Sequence, residues 1–307
     1  MVQKMKSFLK RIRNEINLIR HIGKNVCLLG TMPKSGTWLC QYFFWSLERF
    51  SKNYEINLNT FDFKNNKVKN NLSINNSFIL IGHSSCPSYK SSEDKKFGGK
   101  WSEIQYWNNG YNFINREIGK AYDLNFNKNL KIIYLYRNPI SQFFSMYNYN
   151  LNHKISFYRK ISELSFSEFI FNTSALDSYI KQFHTYKVMK KYYPRNIKLI
   201  SYENLVRNPD EIFIEMCDFF DVFDNTNENI NIISKAAKFC SKENLKKIEA
   251  ILGHSLANDQ RGKNSHMQNY DKLKKEDMMS DRDLSKIESI FNNFNYSLND
   301  FKSDVIV

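Results

Sequence analysis

Short, mainly apolar runs alternate along this chain with longer stretches in which apolar residues return every three or four positions. The runs fall at residues 26–29, 78–82, 131–136 and 197–201. Each has strand length and lacks the in-and-out alternation of a half-solvated sheet, so each predicts a strand buried on both faces. The segment 38–47 is largely apolar and aromatic and predicts a buried helix. Helical periodicity follows from Pro139 to about Asn150, with the proline at an early helical position. It returns over 166–191, from Asn208-Pro209-Asp210 to about Phe220, over 231–239 and 241–252, and near 281–291. Residues 51–77 are polar and asparagine-rich and predict a loop with one short strand at 54–58. In residues 1–24, Phe8, Leu9, Ile12, Ile16 and Ile19 share one helical face, with Lys6, Lys10, Arg11, Arg13 and Arg20 around it.

Apolar strands alternating with helices predict an α/β protein, a three-layer sandwich whose central parallel sheet is covered on both faces. No repeat and no linker divides the chain. The expectation is a basic amphipathic helix at 1–24 followed by one α/β domain over 25–307. Ligands of such sheets bind beyond the carboxyl ends of the strands. Lys34, His83, Arg137 and Tyr202 all fall at those ends.

The first strand runs into Gly30-Thr31-Met32-Pro33-Lys34-Ser35-Gly36-Thr37 and then into a helix. A strand, a loop of small residues and a helix N-terminus present free backbone N–H groups to an anion. Gly36 allows close approach of the backbone, Lys34 adds a full charge, and Ser35 and Thr37 add hydroxyl donors. This is not the nucleoside triphosphate loop G-x-x-x-x-G-K-[ST], because the glycine follows the lysine here. An ordinary strand-to-helix turn with a surface lysine competes with the anion reading. A second basic element stands at the end of the third strand, where Arg137 is followed eight residues later by Ser145. Arg137 offers a fixed fork of donors to a phosphate. Ser145, about two turns into the next helix, reaches the same ligand only if that helix lies alongside it.

P-K-S-G-T-W resembles the 5′-phosphosulfate loop of the sulfotransferases that use 3′-phosphoadenosine 5′-phosphosulfate (PAPS). The usual family form has two threonines before the tryptophan. Here there is one, so Trp38 takes the second threonine's place or the loop is a residue shorter. Y-L-Y-R-N-P-I-S-Q-F-F-S-M-Y, residues 134–147, resembles the family's 3′-phosphate motif, which implies Arg137 and Ser145 as the 3′-phosphate grip. I-G-H-S-S-C-P resembles the K-T-H-x-P stretch that carries the catalytic base, which implies that role for His83; Ile81 replaces the family's lysine. Y-E-N-L resembles the family's Y-E-D-L and implies that Tyr202 contacts the adenine side of the cofactor. Gln260-Arg261-Gly262-Lys263 is similar to the late element that returns to the 3′ phosphate, implying Arg261, Gly262 and Lys263 there.

The resemblance implies a P-loop-NTPase-like fold and sulfuryl transfer from PAPS to an acceptor hydroxyl or amine. Lys34, with Ser35, Gly36 and Thr37, would stabilise charge on the bridging oxygen. His83 would deprotonate the acceptor, and no metal would be needed. The acceptor would be a small molecule, a glycan or a lipid. Trp101, Tyr106, Trp107 and Tyr111 could line its pocket, with Gly98 and Gly99 as a hinge.

The net charge of +14 suits an anionic ligand, but the chain is rich in Lys, Asn and Ile, as AT-rich coding gives. Five scattered cysteines, none in a C-x-x-C pair, predict buried free thiols in a reducing compartment. No run reaches membrane-span length and the N-terminus has no secretory core, so a cytoplasmic protein is expected. Residues 1–24 either pack on their own domain or touch an anionic membrane peripherally. Two rivals stand beside the transferase. One is a small-molecule kinase with Glu203 as magnesium ligand. The other is a non-catalytic basic module for polyanions or membranes, although no nucleic-acid-binding motif is present.

Overall fold

The computed structural model describes residues 25–66, 68–69, 71–83, 130–153, 164–173, 175–224, 226–253, 256 and 279–304. Outside them lie the helix expected at 1–24, the aromatic stretch with Trp101, Tyr106, Trp107 and Tyr111, and Arg261, Gly262 and Lys263. His83 is described in its backbone alone.

Five strands form one sheet: β1 (Asn25–Thr31), β2 (Asn71–Ile74), β3 (Ser77–His83), β4 (Leu130–Tyr136) and β5 (Ile197–Ser201), in the order β2-β3-β1-β4-β5. All neighbours are parallel except β2, which runs antiparallel to β3. The α-helices are α1 (Thr37–Phe50), α2 (Pro139–His153), α3 (Phe166–Asn172), α4 (Ala175–Tyr192), α5 (Tyr202–Arg207), α6 (Pro209–Phe219), α7 (Asn227–Phe239), α8 (Lys242–Leu252) and α9 (Asp281–Asn292). A 3₁₀ segment, Leu298–Asp304, follows α9.

The strand residues divide by parity, as the pleat requires. Cys27, Leu29, Ile79, Ile81, Ile133, Leu135 and Ile200 face a core built with α1, α6, α7 and α8. Val26, Leu28, Phe78, Ile132, Tyr134 and Ile197 face the opposite core, built with α2, α3, α4 and α9. Aromatic rings bind helix to helix within these layers: Phe43 of α1 stacks on Phe213 of α6 with centroids 3.6 Å apart. Covering both faces removes the alternation that a half-exposed strand would show, which is why the runs read as continuous.

Three elements depart from the sequence expectation. Residues 54–58 form no strand; the edge strand is Asn71–Ile74, folded onto β3 through Asn75-Asn76, with Asn75 at φ 50°. Asparagine tolerates that left-handed conformation in a two-residue hairpin turn. The helix expected over 166–191 is two helices, because Thr173 is extended and its hydroxyl donates to the Phe169 carbonyl and accepts from Ala175 N–H. A short helix, α5, begins directly at Tyr202, capped by the Ser201 hydroxyl accepting from Asn204 N–H.

The register aligns the strand ends that matter. Thr31 pairs with His83, Thr31 also lies beside Leu135, and Tyr136 lies beside Ser201. The residues following β1, β4 and β5 therefore emerge along one edge of the sheet.

Candidate active site

The loop after β1 turns tightly. Met32 N–H extends the ladder to the Leu135 carbonyl (2.9 Å), and Ser35 N–H closes onto the Met32 carbonyl (3.0 Å). Lys34 and Gly36 both have positive φ, 65° and 89°. At Gly36 a side chain is excluded twice over, since a Cβ would lie 2.8 Å from the Tyr202 ring. Gly36 is also the N-cap of α1 and supplies no side-chain cap. The N-caps of α3, α5, α7, α8 and α9 are each a Ser or Thr whose oxygen accepts from the first turn. The N-cap of α6, Asn208, gives no side-chain cap either; at α1 the uncapped N-terminus points its dipole into the loop of Lys34.

The Thr31 hydroxyl donates to the Gly82 carbonyl at 3.1 Å and lies 2.6 Å from the Thr37 hydroxyl. One hydroxyl has one proton, so Thr37 is the donor to Thr31. Thr37 accordingly spends its hydroxyl proton on tying α1 to the sheet. Ser35 differs. Its Oγ is fully buried and has no hydrogen-bond partner. A buried hydroxyl in that state costs stability unless a ligand pairs with it.

Arg137 leaves the end of β4 and meets this loop. One Nη1 proton goes to the Lys34 carbonyl at 3.0 Å. The guanidinium sits 4.9 Å from the centre of the Tyr202 ring, and its buried Nε, lacking a hydrogen-bond partner, lies 3.7 Å from a Glu203 oxygen. Burial, and then the charge of Arg137, pull the Lys34 ammonium down to a pKa of about 8, against a smaller upward pull from Glu249. The Lys34 ammonium rests over the Tyr149 ring, 4.0 Å from its centre.

Ser145 is buried in α2. Gln142, one turn earlier, donates to the Pro33 carbonyl at 3.2 Å, and Tyr149, one turn later, meets Lys34. Residues 142, 145 and 149 share a helix face, so α2 lies alongside the loop on the face that carries Ser145. Trp38, second residue of α1, is partly buried against the α1-side core. Lys34, Ser35, Gly36, Arg137 and Tyr202 are in direct mutual contact or adjacent in the chain. His83 ends its strand beside Thr31, while Arg261, Gly262 and Lys263 lie outside the described residues.

Sequence reasoning passed over several participants. Gln142 and Tyr149 follow from helical spacing about Ser145, a signal that was present. Glu203 read as a magnesium ligand, yet both its oxygens accept from Asn138 N–H, at 3.1 and 3.2 Å. Tyr179, which donates to the Arg137 carbonyl at 2.6 Å, left no sequence signal.

The set suits a polyanion: two cations, a helix N-terminus without a side-chain cap and an unpaired buried hydroxyl. A family model described as "Sulfotransferase domain" matches residues 24–299. The chain belongs to the sulfotransferase domain family. Among solved structures it is similar to mouse sulfotransferase SULT7A1 complexed with PAP, at 14% sequence identity and TM-score 0.53, over 92% of this chain and 90% of that one. At that identity the likeness speaks for the fold: an α/β sandwich on a mostly parallel sheet. No curated protein matches by sequence. As a sulfotransferase-family enzyme the chain is a transferase with a nucleotide-binding fold. Among the described residues, no helix is long and apolar enough to cross a membrane.

Proposed function

We propose that this enzyme moves a sulfuryl group from PAPS to a hydroxyl, or an amine, of a small-molecule, glycan or lipid acceptor. The observation that carries the reading is the shared position of Lys34 and Arg137: the Arg137 Nη1 donates to the Lys34 backbone carbonyl at 3.0 Å, and the Arg137 charge helps to lower the Lys34 pKa. The two side chains therefore repel one another, and a ligand with anionic groups at both ends of an adenosine relieves the repulsion. Ser35 Oγ, buried and unpaired, supports the same assignment.

PAPS, when bound, supplies the activated sulfuryl group. Lys34, Ser35 and the backbone N–H groups of Gly36 and Thr37 hold the 5′ end and stabilise negative charge developing there. Arg137 and Ser145 hold the 3′ phosphate, joined by Arg261, Gly262 and Lys263. Tyr202 and Trp38 border the adenine. His83 takes the acceptor's proton; its strand end beside Thr31, three residues before Lys34, favours that role. Residues 25–307 act as one domain behind the helix at 1–24. The four described cysteines, Cys27, Cys40, Cys217 and Cys240, are buried free thiols, which suits a reducing, cytoplasmic setting.

The kinase reading is weaker because Glu203, the carboxylate it needs, is engaged by Asn138 and Arg137. The test is incubation with sulfur-labelled PAPS and acceptor pools. Label should pass to an acceptor, and Lys34→Ala and His83→Ala should each slow the transfer on the order of a hundredfold or more. Absence of transfer to every pool, together with no thermal shift on adding 3′-phosphoadenosine 5′-phosphate (PAP), overturns the reading.

A further inference from the structure

We propose that Glu203 is a positioning residue: it orients Arg137 toward the 3′ phosphate and so sets the preference for a 3′-phosphorylated adenosine. The proposal rests on the reading of Arg137 as the 3′-phosphate grip.

Glu203 is the second residue of α5 and is 3% exposed. A carboxylate so placed is costly unless charge and hydrogen bonds compensate it. A neighbouring turn supplies part of that compensation. Both oxygens accept from the N–H of Asn138, the residue after Arg137, and one oxygen faces Arg137 Nε at 3.7 Å. The same carboxylate therefore fixes the backbone that launches Arg137 and the near edge of its guanidinium.

Two further contacts complete the frame. The Tyr202 ring covers the guanidinium at 4.9 Å, and the Lys34 carbonyl takes one Nη1 proton at 3.0 Å. A guanidinium is planar, with five N–H donors in a rigid fork. With a ring at its face, a carboxylate at Nε and a carbonyl at Nη1, its rotation is set. Among the described residues nothing accepts from the Nη2 protons or the second Nη1 proton, which face outward from this frame.

A negative charge beside a phosphate grip has two possible effects, and they differ in sign. As a charge alone, Glu203 repels the 3′ phosphate, and its neutralisation tightens binding. As a positioning group, it pre-orients the fork, and its neutralisation weakens binding of the 3′-phosphorylated ligand selectively. A merely structural role in the Asn138 turn weakens all adenosine ligands alike. The buried, bifurcated contact to Asn138 and the three-sided frame favour positioning.

The experiment measures dissociation constants of the full chain for PAP and for adenosine 5′-phosphate, which lacks the 3′ phosphate. The variants are Glu203→Gln, Arg137→Ala and the double substitution. Glu203→Gln should lower the preference for PAP by about tenfold, the scale of a charged hydrogen-bonding contact. On the Arg137→Ala background it should lower the preference no further, because it acts through that side chain. An unchanged or increased preference in Glu203→Gln overturns the proposal, as does an equal effect with Arg137 absent. Should Glu203→Gln fail to fold by thermal melting, Glu203→Asp, which keeps the charge one methylene short, should lower the preference. An unchanged preference in Glu203→Asp overturns the proposal equally. If Arg137→Ala itself leaves the preference intact, the 3′-grip reading falls and the proposal with it. A lowered preference in Arg137→Ala beside an intact one in Glu203→Gln removes the proposal alone.

Discussion

The two ends of strand β4 hold cations in opposite ways. At its start, Lys131 is 2.6 Å from Asp221, and nearby on β5 Lys198 is 2.6 Å from Glu215. Both ammonium groups also lie over the Phe219 ring. These are matched pairs at a partly solvated surface, each worth little net energy. At the strand's other end, Arg137 faces the buried Glu203 at 3.7 Å and also lies against the loop of Lys34, whose buried ammonium its charge disfavours. The first arrangement satisfies itself. The second leaves Lys34 desolvated and Ser35 Oγ unpaired, a cost that a bound anion reverses. The same sheet thus has a structural end and an end held ready for a ligand.

That contrast can be broken from either side. The largest effect is expected from Lys34→Ala, which should lower the transfer rate on the order of a hundredfold or more while leaving the ligand-free melting temperature at or above wild type. Steady-state kinetics and a melting curve on one preparation check both halves. Gly36→Ala comes next, because it forces a Cβ into positive φ and against the Tyr202 ring. It should destabilise the chain by about 1–3 kcal/mol in denaturant unfolding, with PAP affinity reduced as the ring is displaced.

The pH dependence sharpens the same point. The Lys34 pKa is lowered from 10.5 to about 8 in the ligand-free fold. Below pH 8 the folded chain carries the buried charge at a cost. Between about 8 and 10.5 the unfolded chain binds more protons than the folded one, so ligand-free stability rises with pH in that window. A bound anion favours the charged lysine. The melting shift produced by PAP should therefore be large at pH 7 and shrink as pH passes 8. A shift constant from pH 7 to 9.5 would count against Lys34 as an anion ligand. The smallest effect belongs to the structural end: Lys131→Ala should cost no more than about 1 kcal/mol and leave transfer kinetics unaltered.

How much of this could be read from residues alone depends on distance along the chain. The four parallel strands and most helices are local patterns, and β1, β3, β4 and β5 all lie where apolar runs fall. Strand β2 escaped because Asn-Leu-Ser-Ile has only two apolar residues and exists through pairing with β3. Lys34, Arg137 and Tyr202 were legible because strand ends of a parallel sheet share an edge. The contacts among them were not. That the Tyr202 ring fills the space over Gly36, or that Glu203 holds the Asn138 N–H, depends on residues 166 and 65 positions apart meeting in three dimensions. Thr37 shows the converse. It sits where a phosphate ligand is expected, yet its proton belongs to Thr31, six residues earlier.

The central claim is that Lys34 and Arg137 grip opposite ends of one bisphosphorylated adenosine. Calorimetric titration of Lys34→Ala and Arg137→Ala with adenosine 5′-phosphate and with adenosine 3′-phosphate tests it most directly. The account predicts a crossed pattern, with Lys34→Ala losing affinity for the 5′-phosphate alone and Arg137→Ala for the 3′-phosphate alone. Equal losses for both ligands in both variants would contradict it.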